Sequence, residues 1–260
     1  MTAPAPSRAF GFRHIGCTFD AALVRGVRGL LVGNEFDGGL RMSPVDPNPN
    51  PAMGAQELAR RRAAVAELGR EVRELVNAVV GTDVDTDHLE RTAAEVRALA
   101  EVLRGEVRDR HMPASVDDLS AGVRMYSPVT GAGNPLAVPM SLEMGGGQAV
   151  GRCTLGLAYE GPPSYGHGGV SALLTDHVLG GAAAASGNPG MTTELTVRYR
   201  RPVPLGTPLV VRGTTVDSSG RWVRATGTIA AVDAPEHTLV EAEATFAVLS
   251  REQARRLFPG

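Results

Sequence analysis

The sequence has no lysine: all 26 of its basic residues are arginine. Schiff-base catalysis and the lysine-dependent phosphate loops are therefore excluded. Cysteine is nearly as scarce. Cys17 and Cys153 are the two in 260 residues, too few for a disulfide framework or a four-cysteine zinc site. His14 and Cys17 have a metal-like spacing, yet two ligands do not close a site, and no metal is expected. No apolar run approaches the ~18 residues of a membrane-spanning helix. Residues 1–13 lack the long apolar stretch of a secretion signal. A cytoplasmic protein with no membrane span is the expectation. Charge of one sign is missing too: 26 basic against 28 acidic residues gives −2, which supplies no electrostatic case for a nucleic-acid partner.

What is present is an ordinary globular composition, 43% hydrophobic and 21% charged, sufficient to bury a core. Three regions divide the chain. Residues 1–55 form an N-terminal segment and a Pro-rich linker: a weakly apolar stretch from Ala21 to Val32 is compatible with a short helix. Pro44, Pro47, Pro49 and Pro51 then fix φ and remove backbone donors. Residues 56–110 read as a helical hairpin. Leu58, Val65, Leu68, Val72, Leu75 and Val79 mark one stripe on a first helix ended by Gly81. Leu89, Val96, Leu99, Leu103 and Val107 mark a second, capped by Asp85 or Thr86. Arg60, Arg61 and Arg62 fall on the solvated face of the first helix. The hairpin is expected to pack on the following domain or on another subunit.

Residues 111–260 form the third region, and there the period changes to two. Cys153, Leu155, Leu157 and Tyr159 alternate with polar or small residues, as do Leu195, Val197 and Tyr199. Ser218-Ser219-Gly220 separates a strand over 209–216 from one over 222–232, and Asp233 to Glu236 turns the chain into a last strand over 238–249. One helix, about 168–186, lies between the first strand and the rest. It is apolar on nearly every side and is expected to be buried all round. The implied fold class is α+β, a curved antiparallel sheet wrapped around a central helix.

The chemistry concentrates at that helix. Glu160-Gly161-Pro162-Pro163-Ser164-Tyr165-Gly166-His167-Gly168-Gly169 runs straight into its start. Glycines there let a substrate approach the backbone, and a helix N-terminus carries roughly half a positive charge that suits an oxyanion. The alternative is a tight turn before a core helix, with His167 as a hydrogen-bonding cap. Asp176 tilts the balance, because a lone carboxylate inside an apolar helix is costly unless partnered or used as a base. Thr192, after the helix, is a candidate partner that holds the carboxylate or orients a water. His177 points about 100° away and reads as packing or surface.

His167 and Asp176 are nine residues apart, which on a helix means about 13 Å of rise and a rotation of about 180°. One chain cannot easily bring both to a single carbonyl. Two chains about a two-fold axis can, so the spacing argues for a homodimer, or a dimer of dimers, with composite sites.

These residues resemble the hotdog-fold acyl-CoA thioesterases of the PaaI-like type. The resemblance covers about residues 130–250. It rests on His167-Gly168-Gly169 followed by Asp176, on Met191-Thr192, and on Tyr199-Arg200-Arg201-Pro202. The Glu-Gly-Pro-Pro lead-in is most similar to the THEM4/THEM5 branch of the family. The resemblance implies hydrolysis of acyl-CoA thioesters without a cofactor, CoA being part of the substrate. The amide of Gly168 would polarise the carbonyl, helped by Gly169. Asp176 of the partner subunit would act as general base or nucleophile, Thr192 would place the water, and His167 would shape the loop. Many PaaI-like members carry Asn six residues before the His, where this sequence has Gly161. With no lysine, the phosphates of CoA would fall to Arg198, Arg200 and Arg201, which read equally as a solvated strand face. Two other readings compete: an acyl-thioester dehydratase, and an acyl-CoA-binding or regulatory protein with little turnover.

Overall fold

The computed structural model describes residues 53–109, 112–118, 121–250 and 252–253, together with the backbone of 15–17. The expected short helix over 21–32 and the Pro-rich linker lie outside the described residues. Ile15–Cys17 form strand β1, Ala55–Gly81 helix α1 and Thr86–Leu103 helix α2. Strands β2 (Ser141–Gly145) and β3 (Gln148–Thr154) follow, then a single 3-10 turn over Leu157–Tyr159. The central helix α3 is Gly168–Ala185, and β4 (Gly190–Tyr199), β5 (Pro208–Ser219), β6 (Trp222–Ala231) and β7 (Ala234–Val248) complete the chain.

The strands form one sheet, every pair antiparallel, in the order β1-β4-β7-β6-β5-β3-β2. Helix α3 touches every strand from β2 to β7, so the sheet curves around it as the α+β reading requires. Close approach is possible because Gly213 and Gly227 face one another on β5 and β6. A Cβ on Gly213 would stand 3.1 Å from the Val178 carbonyl, and one on Gly227 would stand 2.9 Å from the Leu179 side chain. Leu174, Val178, Leu179, Leu209, Ile229, Val240 and Phe246 are fully buried between helix and sheet. Each large apolar side chain buried in this way contributes roughly 1.5–3 kcal/mol.

Several expectations need correction. The alternation through Tyr159 does not continue as strand: β3 ends at Thr154, where its partner β5 begins at Pro208, and beyond it one last bond, from Gly206 N–H to the Leu155 carbonyl at 2.9 Å, joins the two segments. The chain then turns, with Tyr159 N–H bonded to the Gly156 carbonyl. The β2–β3 hairpin was not foreseen, although Gly145-Gly146-Gly147 announces it. Gly146 and Gly147 have φ of 57° and 76°, the left-handed pair that a two-residue hairpin turn demands. Strand β7 begins at Ala234, because the turn before it needs only Val232 and Asp233. Helix α3 is not buried all round. Ser171, Leu174, Thr175, Val178, Leu179, Ala182 and Ala183 face the sheet, whereas Gly169, Leu173 and Ala184 lie exposed on the opposite side of the single chain.

Helix α1 packs on the segment before β2. Arg73 donates to the carbonyls of Ala132 and Asn134 at 3.1 and 2.9 Å. Arg62, expected in solvent with Arg60 and Arg61, is half-buried and donates to the Val116 carbonyl at 2.8 Å. Asp85 caps α2 by accepting from His88 N–H at 2.9 Å. No residue of α2 is buried, and Leu89, Leu99 and Leu103 are 47%, 63% and 59% exposed. Among the described residues, no helix is long and apolar enough to cross a membrane.

Candidate active site at the start of the central helix

The loop before α3 is tied at many points. Glu160 Oε1 accepts from Ser164 N–H at 2.7 Å, and Gly161 N–H donates to the Tyr165 carbonyl at 2.9 Å. Ser164 is held at φ 71°, a left-handed conformation that non-glycine residues seldom adopt. Gly166 N–H and Leu205 N–H fasten the loop to the turn between β4 and β5. A Cβ on Gly161 would lie 2.8 Å from His167 Cα. The loop as folded leaves no room there for an asparagine, which explains the departure noted in the sequence.

A helix start exposes N–H groups that lack intrahelical partners. Here three of the four, from His167 to Val170, are satisfied. His167 N–H donates to the Tyr159 carbonyl at 2.8 Å, Gly169 N–H to His167 Nδ1 at 2.9 Å and Val170 N–H to the His167 carbonyl at 2.9 Å, and Ser171 N–H makes the first helical bond to that carbonyl at 3.4 Å. Gly168 N–H has no partner among the described residues. Because His167 Nδ1 accepts a backbone proton, its own ring proton sits on Nε2. Both glycines sit in tight surroundings. A Cβ on Gly168 would meet the Tyr199 ring at 3.2 Å, and one on Gly169 would meet His167 Nδ1 at 3.1 Å. Tyr199 Oη also donates to the Gly168 carbonyl at 2.9 Å. Tyr199 is not among the site residues expected from sequence, although its alternation with Leu195 and Val197 turns it toward the helix.

Two turns along α3, Thr192 Oγ1 donates to Asp176 Oδ1 at 2.8 Å. Asp176 is half-buried, not enclosed. The strand bulges at this point: Thr192 pairs with Phe246 and Glu194 with Thr245, leaving Thr193 as the extra residue. Leu195, Val197 and Tyr199 face the core on odd positions, so a regular strand would turn Thr192 outward; the bulge reverses the parity. Beside them His177, half-buried, has Nε2 3.4 Å from Thr130 Oγ1. Burial holds its pKa below 6.5, with Asp176 opposing and Arg124 adding to the shift.

The three arginines proposed for phosphate are differently placed. Arg198 pairs with Glu243 and Arg200 with Glu241, both at 2.8 Å across β4 and β7. Arg201 is exposed and donates to the Thr238 carbonyl at 2.9 Å. Cys153 is buried, which pushes its thiol pKa up to about 11 and makes it a poor nucleophile. No group of three metal-ligating side chains occurs among the described residues. A cavity of about 270 Å³ opens between α1 and β3, lined in part by Arg73, Asn77, Thr154 and Tyr159, and it contains neither Gly168 nor Asp176.

The fold is shared with known proteins. The thioesterase superfamily model matches residues 165–233, which include His167, Gly168, Asp176 and Thr192. Acyl-coenzyme A thioesterase THEM4 of Mus musculus is 36% identical over 99 residues, covering 38% of this chain and 42% of the relative. THEM4 of Xenopus laevis is 38% identical over 64 residues, covering 25% of this chain and 29% of the relative. The chain thus matches less than half the length of these curated relatives. A crystal structure of a thioesterase superfamily protein is 38% identical and superposes with a TM-score of 0.61, covering 70% of this chain and 94% of that one. A shared hotdog fold, with identity sustained over nearly the whole of that solved chain, makes this protein a member of the thioesterase superfamily.

Proposed function

We propose that the protein hydrolyses acyl-CoA thioesters to the free acid and CoA, in the cytoplasm, as a homodimer or a dimer of dimers. The observation that carries this reading is the Asp176–Thr192 pair, a carboxylate oriented by a hydroxyl on the helix whose start holds an open amide. The thioester carbonyl would accept from Gly168 N–H, where charge develops during attack. Asp176 of the partner subunit would take a proton from water held beside Thr192 as the water oxygen bonds to the carbonyl carbon. Collapse of the tetrahedral intermediate breaks the C–S bond, and the departing thiolate recovers the proton from Asp176. His167 would support the helix start rather than exchange protons, since its Nδ1 is engaged.

Helical geometry supports the two-fold arrangement, because Gly168 and Asp176 of one chain lie about 12 Å apart along α3. The exposed stripe of Gly169, Leu173 and Ala184 supplies a face for a second copy. Arg201, engaged with one carbonyl, retains further donors for a phosphate of CoA.

Free-thiol release from acetyl-, hexanoyl-, palmitoyl- and phenylacetyl-CoA, with wild type against Asp176→Ala, tests the reading. Loss of turnover in the variant is expected, and equal rates would end it. Tight binding of a thioether analogue without hydrolysis of any of these esters would favour a binding protein instead.

A further inference from the structure

One peptide unit at the start of α3 is held at both ends. The Gly168 carbonyl accepts from Tyr199 Oη at 2.9 Å, and the Gly169 N–H of the same peptide donates to His167 Nδ1 at 2.9 Å. The neighbouring peptide, between His167 and Gly168, has its carbonyl engaged by Val170 and Ser171, which leaves Gly168 N–H as its one open group. Two planar peptides meeting at a glycine Cα have only φ and ψ to set their relative direction. Glycine is the residue least able to set them for itself. The direction of Gly168 N–H is therefore decided by whatever fixes the peptides on either side. The helix holds the first, between His167 and Gly168, only at its carbonyl end, so its swing about that end is limited by the second, which His167 and Tyr199 tie down.

We infer that Tyr199 is a positioning residue for the oxyanion donor: from β4 it clamps the 168–169 peptide and so aims the Gly168 amide. This rests on the hydrolytic reading above. The ring and the hydroxyl have separable parts in it. The ring lies close to Gly168: a Cβ there would meet it at 3.2 Å, a contact tight enough that the ring would have to give way. The hydroxyl supplies the directional tie. Tyr199 sits at the end of β4, paired with Val240 of β7, and is packed against the main core, so the clamp is anchored to the sheet and does not move with the loop. An amide donor acts through preorganisation, and small misdirection weakens it in the transition state more than in substrate binding.

Tyr199→Phe keeps the ring and removes the tie. The expected result is a fall in kcat of about five- to tenfold with KM nearly unchanged. The pH profile keeps its shape, because the phenol exchanges no proton with substrate. Amide hydrogen exchange at Gly169, read by NMR on the free protein, speeds up in the variant. A wild-type kcat, or unchanged exchange at Gly169, overturns the inference. Site-specific 3-fluorotyrosine at position 199, a stronger donor of the same shape, should keep kcat at or above wild type, and a fivefold loss there would also overturn it. Asp176→Ala is assayed in parallel. Full activity in that variant removes the hydrolytic reading, while the exchange measurement still decides whether Tyr199 holds the peptide.

Discussion

Thr192 Oγ1 lies 2.8 Å from Asp176 Oδ1, although the alternation of β4 would by itself point Thr192 away from the helix that carries Asp176. The bulge at Thr193 makes the contact possible. It ties a strand irregularity, which looks like a defect, to the placement of the carboxylate that the proposed hydrolysis uses.

Removing the hydroxyl should disorient the carboxylate without unfolding the chain. Thr192→Val is expected to lower kcat for acyl-CoA hydrolysis about tenfold to a hundredfold, the range for a hydrogen bond to a charged group. Thr192→Ser should keep most of the rate. If valine and serine behave alike in steady-state assays, the hydroxyl has no part in turnover.

Deleting Thr193 tests the parity argument. The two halves of β4 can then join in one regular ladder, with Thr192 still opposite Phe246 and Glu194 opposite Thr245, so Thr192 keeps its inward direction. The deletion should therefore keep most of the wild-type kcat, unlike Thr192→Val, with the far-ultraviolet dichroism of wild type. A folded deletion that shows the kinetic loss of Thr192→Val would mean that the bulge does more than set the direction of Thr192.

Acid stability should depend on His177. Burial lowers its folded pKa below the ordinary 6.5, so the unfolded chain takes up a proton more readily. Stability is then lost as pH falls below about 6.5, down to the folded value. His177→Gln should show a smaller drop in Tm between pH 7.5 and 5.5 than wild type. Identical drops in differential scanning calorimetry would refute the assignment.

The seam between α1 and the main body can be probed at Gly69. A Cβ there would run into the Ala132 carbonyl and stand 2.8 Å from Gly133 Cα. Gly69→Ala improves helix propensity yet overpacks this contact, and the net expectation is a destabilisation of about 1–3 kcal/mol by urea titration. A stabilised variant would mean that α1 does not rest on this segment.

Cys153 should be silent toward thiol reagents. With its pKa near 11, little thiolate exists at pH 8. In a Cys17→Ser background, dithionitrobenzoate should react only after denaturation. Rapid labelling of native protein would contradict its burial.

The residue pattern alone determined the long-period elements and the chemistry-bearing groups. Stripes at helical spacing located α1 and α2, an apolar run without a polar face located α3, Ser218-Ser219-Gly220 located a hairpin, and the pairing of a glycine-rich helix start with a carboxylate inside an apolar helix located the candidate site. Each of these signals is local: it depends on spacing along a few turns of chain. Tertiary structure decided what no short window contains. Strand β3 stops at Thr154 because β5 offers no partner beyond it. One side of α3 stays open because the sheet covers only the other. Arg198 is taken by Glu243 on another strand, which alters what it has free to offer. Thr192 reaches Asp176 through a bulge that no alternation of residue types announces. The physical reason is common to all four. Side-chain direction and hydrogen-bond vacancy are properties of neighbours brought together from far apart in the chain, and only folding chooses those neighbours.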